Sequence, residues 1–242
     1  MFNIDRKTVL IILGVMVLVN VLLGQRSIEG IIISLPGVIV AMTFHEFAHA
    51  WAATKLGDET PRQQGRLSLN PISHIDPVGL ICLMLLGFGW GKPVQINSRN
   101  FDGKYSLSKA EAIVAAAGPI MNFVLAFIFS ILYYVLFVAT NVLSGLSVKA
   151  LSVVYTIMIQ IITINIGLGV FNLIPLPPLD GSKVLMNFLG YNAKQWFYRN
   201  ERIFYIAFVL LWVTGLLSSL LAPIFSGVFT GITWLAFKIV SI

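Results

Sequence analysis

The residues with the clearest chemical potential are two histidines and a glutamate in the run His45-Glu46-Phe47-Ala48-His49. Residues four positions apart lie on the same face of a helix, so two imidazoles at this spacing can chelate one tetrahedral zinc ion. Glu46 lies beside the first imidazole and can reach a water molecule at the metal without being a ligand. This H-E-x-x-H spacing predicts a zinc site with its own general base.

The surroundings of this motif strengthen the prediction. It lies within an apolar run over residues 31–51. Each ionisable group at membrane depth costs a few kcal/mol unless it has a partner, and three such groups on one helical turn are hard to explain by packing. The alternative is that neighbouring helices simply satisfy three polar side chains.

A catalytic zinc ion usually has three protein ligands and a water, so one ligand must come from outside this helix. The candidates are Asp180, His74, Asp76 and Cys82. Asp180 is preferred because it follows three closely spaced prolines, which prevent a regular helix. Irregular backbone at membrane depth is tolerated where it lines a cavity or is buried in protein.

The composition indicates which elements must position these groups. Hydrophobic residues make up 57% of the 242 residues, and only 11% are charged, whereas a soluble domain has about 25% charged residues. The mean hydropathy is +0.89. Long continuous apolar runs predict an all-α polytopic membrane protein rather than a β-barrel. The single cysteine excludes an intramolecular disulfide, and the net charge of +6 is attributed to cytoplasmic loops rather than to nucleic-acid binding.

About six transmembrane helices are predicted, at 8–24, 30–54, 110–139, 150–174, 202–221 and 223–241. The first is expected to be a retained helix rather than a signal peptide, because no small-x-small cleavage site follows it. The apolar stretch 77–90 has only 14 residues, with three glycines, and is predicted to dip into the membrane. Alternation over residues 92–97 predicts a short strand, as part of a small β-strand or hairpin element near residues 60–100.

The positive charges predict the orientation of these helices. With the N-terminus in the cytoplasm, fourteen of the 16 Lys and Arg residues are cytoplasmic, and only Arg26 and Lys149 are outside. This bias predicts that both termini are cytoplasmic. Segments 30–54 and 150–174 then run in the same direction, which places His45, His49 and Asp180 at a similar depth near the cytoplasmic side.

These motifs resemble the site-2 protease family of intramembrane zinc metalloproteases. The similarity covers about residues 30–190 and is carried by the H-E-x-x-H run, by residues 118–122 (Gly-Pro-x-x-Asn), and by residues 65–71, 74–77, 88–94 and 172–181. Two of these runs resemble a compact prokaryotic branch without PDZ or CBS domains. The resemblance implies one zinc ion per chain, bound by His45, His49 and Asp180, with Glu46 as the catalytic base.

Several other polar residues are also assigned roles. The resemblance suggests Asn172 as a donor to the oxyanion, and Asn122 is predicted either to contact the substrate backbone or to hold a helix in place. Asn165 is interpreted as packing. His74 and Asp76 are expected either to orient a zinc-bound imidazole or to stabilise a proline-flanked turn. Residues 92–97 are predicted to pair with an unwound substrate as an added strand.

The resulting hypothesis is a single transmembrane protease domain over 1–242, with a catalytic core at about 30–190 and accessory helices at 1–29 and 200–242. Its partners are expected to be the lipid bilayer and a membrane protein substrate with a single transmembrane helix, cleaved near the cytoplasmic side of a prokaryotic cell membrane. No nucleic acid is expected, and the sequence does not predict the oligomeric state. The alternatives are an intramembrane metal-ion transporter and a catalytically inactive, membrane-binding homologue. A single broken helix without an internal repeat disfavours transport, and the presence of all four catalytic residues disfavours the inactive homologue.

Overall fold

The architecture is all-helical in a computed structural model that describes residues 27–86, 91–142 and 147–241. The α-helices of this part of the chain are α1 (Ile28–Lys55), α2 (Thr60–Gln63), α3 (Pro77–Leu86), α4 (Leu107–Val142), α5 (Val148–Asn172), α6 (Asp180–Phe188), α7 (Tyr191–Arg199), α8 (Glu201–Val213) and α9 (Leu216–Val240). Four of them, α1, α4, α5 and α9, are long and apolar enough to cross a membrane. The predicted all-α polytopic class is confirmed.

The spans predicted at 30–54, 110–139 and 150–174 correspond to α1, α4 and α5, while the span predicted at 8–24 lies outside the described residues.

The boundary predicted at Pro223, between the spans at 202–221 and 223–241, is wrong. The chain breaks at Gly215, whose φ of 72° is the left-handed conformation that glycine adopts readily. Pro223 lies inside α9, where a proline removes one backbone hydrogen bond without ending the helix. Consequently α8 has only 13 residues, fewer than a span requires.

Helices α1, α4 and α5 pack against one another and form the centre of the molecule. Small side chains such as Ala41 and Ala126 are fully buried there, which lets the helix backbones approach closely. Ile162 and Ile166 of α5 fill the space between the helices, and aromatic residues of α9 cover them from one side. This close contact brings polar groups of three helices within hydrogen-bonding distance.

The strand predicted at residues 92–97 is absent from the described residues. In the described part of the region near 60–100, the one β-type pairing is an isolated antiparallel bridge between Ile75 and Gly91. The chain is extended there, but the side chains of Glu46 and Asp58 accept hydrogen bonds from two of its backbone amides. The amide of Val94 donates to Glu46 Oε2 at 3.2 Å, and that of Asn97 to Asp58 Oδ2 at 2.7 Å. The described part of α3 has 10 residues and is about 15 Å long, which is shorter than a bilayer span requires.

Asp58 holds this extended segment against the end of α1. Its carboxylate is fully buried and accepts hydrogen bonds from the hydroxyl of Thr60, the amide of Asn97 and the side chain of Asn100. Burial raises the pKa of Asp58, but these hydrogen bonds outweigh burial and hold the pKa below its usual value. Asp58 therefore fixes one end of the segment that passes beside Glu46.

We expect Asp58→Asn to destabilise the protein by about 1–3 kcal/mol at neutral pH, because the new amide NH₂ would face the amide of Asn97. A carboxyl group with a depressed folded pKa stabilises the fold above its unfolded pKa of about 4, and this contribution is lost as the pH falls through the folded pKa. The difference between wild type and variant should therefore shrink below about pH 4. Thermal unfolding in detergent across this pH range measures it, and a difference that does not change with pH would contradict the assignment.

Candidate metal centre

Three ligand atoms from two helices meet at one point inside the helical bundle. The Nε2 atoms of His45 and His49 lie 3.1 Å apart, and each lies 3.2 Å from Oδ2 of Asp180. Both imidazoles are buried, and the carboxylate is largely so. Among the described residues this is the one group of His, Cys, Asp and Glu side chains arranged to hold a metal ion.

The hydrogen bonds of the two imidazoles indicate that this site suits a cation. Nδ1 of His45 lies 2.6 Å from Oδ1 of Asn122, and Nδ1 of His49 lies 2.7 Å from the carbonyl oxygen of Val114. Both partners are acceptors, so each neutral imidazole carries its hydrogen on Nδ1 and turns the lone pair of Nε2 toward Asp180. With both imidazoles neutral, three acceptors face one another, an arrangement that a bound cation satisfies. Tetrahedral zinc ligands with bonds near 2.0–2.1 Å lie about 3.3 Å apart, which the observed triangle matches.

Helix α4 packs closely against the two histidines because its residue Gly118 has no side chain. Gly118 lies against both imidazoles, and a Cβ atom there would collide with Nε2 of His49 and would meet Cε1 of His45 at 2.7 Å. The Gly-Pro-x-x-Asn run therefore has two physical functions at the site. Gly118 allows the helices to approach, and Asn122, one turn later, binds His45.

We expect Gly118→Ala to reduce zinc affinity at least about tenfold, because the added methyl group occupies the space of the metal-binding nitrogens and must displace an imidazole. Gly227→Ala in α9 is the matched control, since a Cβ there meets nothing within 4 Å. Zinc affinity is measured in detergent by competition with a chelator. Equal zinc affinity in the two variants would contradict this account of Gly118.

Asp180 is the first residue of α6, and the chain before it folds back sharply. A Cβ at Gly181 would collide with the carbonyl group of Leu173 and the carbonyl oxygen of Ile174, so only glycine fits where α6 returns past the end of α5. Ser182 secures this turn, since its amide and hydroxyl both donate to the carbonyl oxygen of Leu179. This local geometry brings Asp180 to the depth of the histidines, as the sequence predicts.

Glu46 lies beside the ligand triangle and faces a cavity of about 780 Å³ that His45, His49 and Asp180 also line. Its Oε2 accepts a hydrogen bond from the amide of Val94. A Cβ at Gly91 would lie 3.4 Å from its Oε1, so the extended segment runs close to the carboxylate. Glu46 thus shares this cavity with the three ligand residues, and the backbone holds one of its carboxylate oxygens.

The two predicted asparagines occupy different positions. Asn172 lines the cavity, and its side-chain nitrogen donates to the carbonyl oxygen of Leu168 at 3.0 Å in its own helix. Asn122 is fully buried, and its amide bonds to His45, Asn165 and the carbonyl oxygen of Ala41. The structure therefore brings Asn172 to the cavity and places Asn122 behind a metal ligand, away from the residues that line the cavity.

His74 and Asp76 lie outside the ligand triangle and stabilise the loop before α3. His74 is buried, and its Nε2 lies 2.6 Å from the carbonyl oxygen of Ser68 rather than near either imidazole of the site. Asp76 accepts from the amide of Gly79 at 2.8 Å and thereby caps α3. Of the two roles considered for this pair, turn stabilisation is the one the contacts fit. Cys82, buried in α3, is likewise outside the group.

Sequence reasoning missed two contacts at the site, from the carbonyl of Val114 and the amide of Val94, and interpreted Asn165, which bonds to Asn122, as packing. Backbone groups leave no trace in the residue type, so the first two had no signal. Asn165 did offer a signal, because a polar amide within an apolar spanning segment requires a hydrogen-bond partner.

Comparison with known proteins agrees with this geometry. The model of peptidase family M50 matches residues 33–214. Relatives named "putative zinc metalloprotease" include YwhC of Bacillus subtilis, 41% identical over 187 residues, which are 77% of this chain and 82% of that protein. They also include MJ0611 of Methanocaldococcus jannaschii, 31% identical over 66% of this chain and 72% of the relative. Rip2 of Mycolicibacterium smegmatis is 27% identical, over 68% and 63%. No solved structure gives a significant match.

Proposed function

The chain belongs to peptidase family M50, the site-2 protease family of zinc metalloproteases, and from this premise we propose that it cleaves membrane-spanning segments of other proteins near the cytoplasmic side. The observation that carries the proposal is the convergence of three acceptors in the cavity that Glu46 also lines, with His45, His49 and Glu46 all on a helix long and apolar enough to span a bilayer. The same proposal includes a location in a prokaryotic cell membrane, which the resemblance to a compact prokaryotic branch implies, and cytoplasmic termini, which the charge distribution indicates.

His45, His49 and Asp180 are the residues that would hold the zinc ion. A zinc ion bound there supplies a Lewis acid for the scissile carbonyl and lowers the pKa of water toward about 7. Glu46 acts as the general base: its carboxylate accepts a proton from the attacking water and later delivers one to the leaving amine. The amide of Val94 keeps one carboxylate oxygen in place, which leaves the other free for proton transfer.

Asn172 is the residue we assign to the developing oxyanion. It lines the same cavity as Glu46, and its hydrogen bond to Leu168 uses only one of the two hydrogens on its side-chain nitrogen. The second hydrogen is available to a negatively charged oxygen in the cavity. Asn122 has no such role in this proposal, because its amide is buried and fully bonded.

The extended segment 92–97 is proposed to hold the substrate. A helical peptide keeps its backbone bonds within its own hydrogen-bonding pattern, so cleavage requires a locally extended chain. Pro93, Val94 and Ile96 line the cavity, and the segment is fixed near both ends, by the pairing of Lys92 with His74 and of Asn97 with Asp58. An unwound substrate can therefore add alongside a backbone that is already extended.

We expect Ile96→Pro to slow cleavage about fivefold to tenfold relative to Ile96→Ala, because proline removes one backbone donor and one such hydrogen bond contributes about 1 kcal/mol. The alanine variant is the control, since it loses the same packing but keeps the amide. Val94→Pro is less informative, because it also removes the hydrogen bond to Glu46. Turnover is compared at matched zinc content, and equal rates for the two Ile96 variants would remove the substrate role of this segment.

The proposed function is tested with purified protein in detergent and a panel of membrane proteins that each have a single transmembrane helix. Zinc-dependent cleavage within the helix supports it, with the cut sites located by mass spectrometry. Zinc flux into proteoliposomes by a protein that cleaves none of the panel would instead support the transporter. A protein that binds zinc but shows neither activity would fit the inactive homologue.

A further inference from the structure

A continuous series of hydrogen bonds joins the metal ligand His45 to the interior of α5. His45 Nδ1 bonds to Oδ1 of Asn122 at 2.6 Å, and the side-chain nitrogen of Asn122 donates to Oδ1 of Asn165 at 2.9 Å. The nitrogen of Asn165 donates in turn to the carbonyl oxygen of Ile161 at 2.8 Å. The Asn122 nitrogen also donates to the carbonyl oxygen of Ala41 at 3.0 Å. The series thus links α1, α4 and α5.

The direction of every bond in this series follows from its last member. A carbonyl oxygen only accepts, so Asn165 must turn its nitrogen toward Ile161 and its oxygen toward Asn122. Asn122 must then turn its nitrogen toward Asn165 and its oxygen toward His45. His45 consequently carries its hydrogen on Nδ1 and offers the lone pair of Nε2 to the metal. Both asparagine side chains are fully buried, so water cannot replace a lost partner.

We propose that Asn165 is a positioning residue for the metal ligand His45 and acts through Asn122. The inference rests on the proposed zinc function. Asn165 does not line the cavity, so the packing role that the sequence suggests is the competing interpretation. Without the oxygen of Asn165, the nitrogen of Asn122 keeps only the carbonyl oxygen of Ala41 as its acceptor. The amide is then held in its orientation by one bond instead of two and turns its nitrogen toward His45 more readily, which favours the tautomer with hydrogen on Nε2. That tautomer cannot bind the metal at Nε2.

The two histidines differ in the kind of hydrogen-bond partner that orients each imidazole. Nδ1 of His49 bonds to the main-chain carbonyl of Val114, which no substitution of a side chain removes. His45 depends on two side chains from two other helices. Substitution of Asn165 should therefore loosen one ligand and leave the other in place, so that zinc affinity falls without being abolished.

The test is a double-mutant cycle on zinc affinity with Asn165→Leu, Asn122→Leu and the double variant, measured by chelator competition in detergent. We expect each single variant to bind zinc about 10–100-fold more weakly, as is usual for partners of metal-binding histidines. The double variant should bind no more weakly than Asn122→Leu, because both changes break one series of bonds. Ser130→Ala is the control: Ser130 is a buried polar residue of α4 that bonds only to Ala126 in its own helix.

A packing role predicts a different result. Zinc affinity of Asn165→Leu equal to that of wild type, even with a lower unfolding temperature, would overturn the inference. Multiplication of the two single effects in the double variant would overturn it too. Asn165→Ala, which removes the amide without adding bulk, serves if the leucine variant does not fold. Failure of the wild type to bind zinc would instead count against the proposed function, so the two failures are distinguishable.

Discussion

Glu46→Gln is expected to lower the rate of proteolysis by at least about 100-fold while zinc binding stays at the wild-type level. Glutamine has the same shape, and its amide oxygen can still accept the hydrogen bond from Val94, so the segment beside the site keeps its position. The amide cannot accept a proton from water. General-base catalysis contributes about 100-fold to 10,000-fold, and we expect a loss of turnover in this range. Cleavage of a single-helix substrate at matched zinc content measures it.

The matched control for this prediction is Glu59→Gln. Glu59 is exposed and pairs with Arg62 at 3.2 Å, away from the cavity. An exposed ion pair contributes little to stability, so this variant should cleave at the wild-type rate. If Glu46→Gln cleaves as fast as Glu59→Gln, then Glu46 is not the base, and the zinc site serves another function.

The sequence predicted the metal site well because its signals are local. The spacing of His45 and His49 determines that both lie on one helical face, and the prolines before Asp180 mark a break at the same depth. The long apolar helices were predictable for a similar reason, since about 20 consecutive apolar residues have few other uses. These features depend on residue type and short spacing, which a single sequence displays directly.

Other features depend on contacts that short spacing does not display. Alternation over 92–97 resembled a strand, but whether an extended chain pairs with another strand depends on what lies next to it. Here Glu46 and Asp58 accept two of its amides. Pro223 marked the wrong break, because the left-handed Gly215 divides the last helices. Asn165 looked like packing, since its partner Asn122 is 43 residues away.

Asp180→Ala is expected to lower zinc affinity at least about 100-fold. This effect is larger than the loss of affinity expected when a metal-binding histidine loses a hydrogen-bond partner. Asp180 is the one ligand of the described group that does not come from α1, and it supplies the only negative charge in the triangle. Two neutral imidazoles alone hold zinc with two bonds instead of three. Chelator competition in detergent measures the loss. Asp76→Ala is the matched control, because Asp76 caps α3 and lies outside the triangle.

Zinc should also stabilise the fold through Asp180, because this residue joins α6 to α1 across the metal. A ligand that binds only the folded state raises its stability in proportion to the logarithm of its concentration over Kd. Chelation should therefore lower the unfolding temperature of wild type and of Asp76→Ala, but should leave that of Asp180→Ala almost unchanged. The opposite pattern, with Asp76→Ala insensitive to chelation and Asp180→Ala sensitive, would move the third ligand to the loop before α3. Since the His74 and Asp76 side chains already bond to Ser68 and Gly79 in that loop, they would first have to break those bonds to reach the histidines.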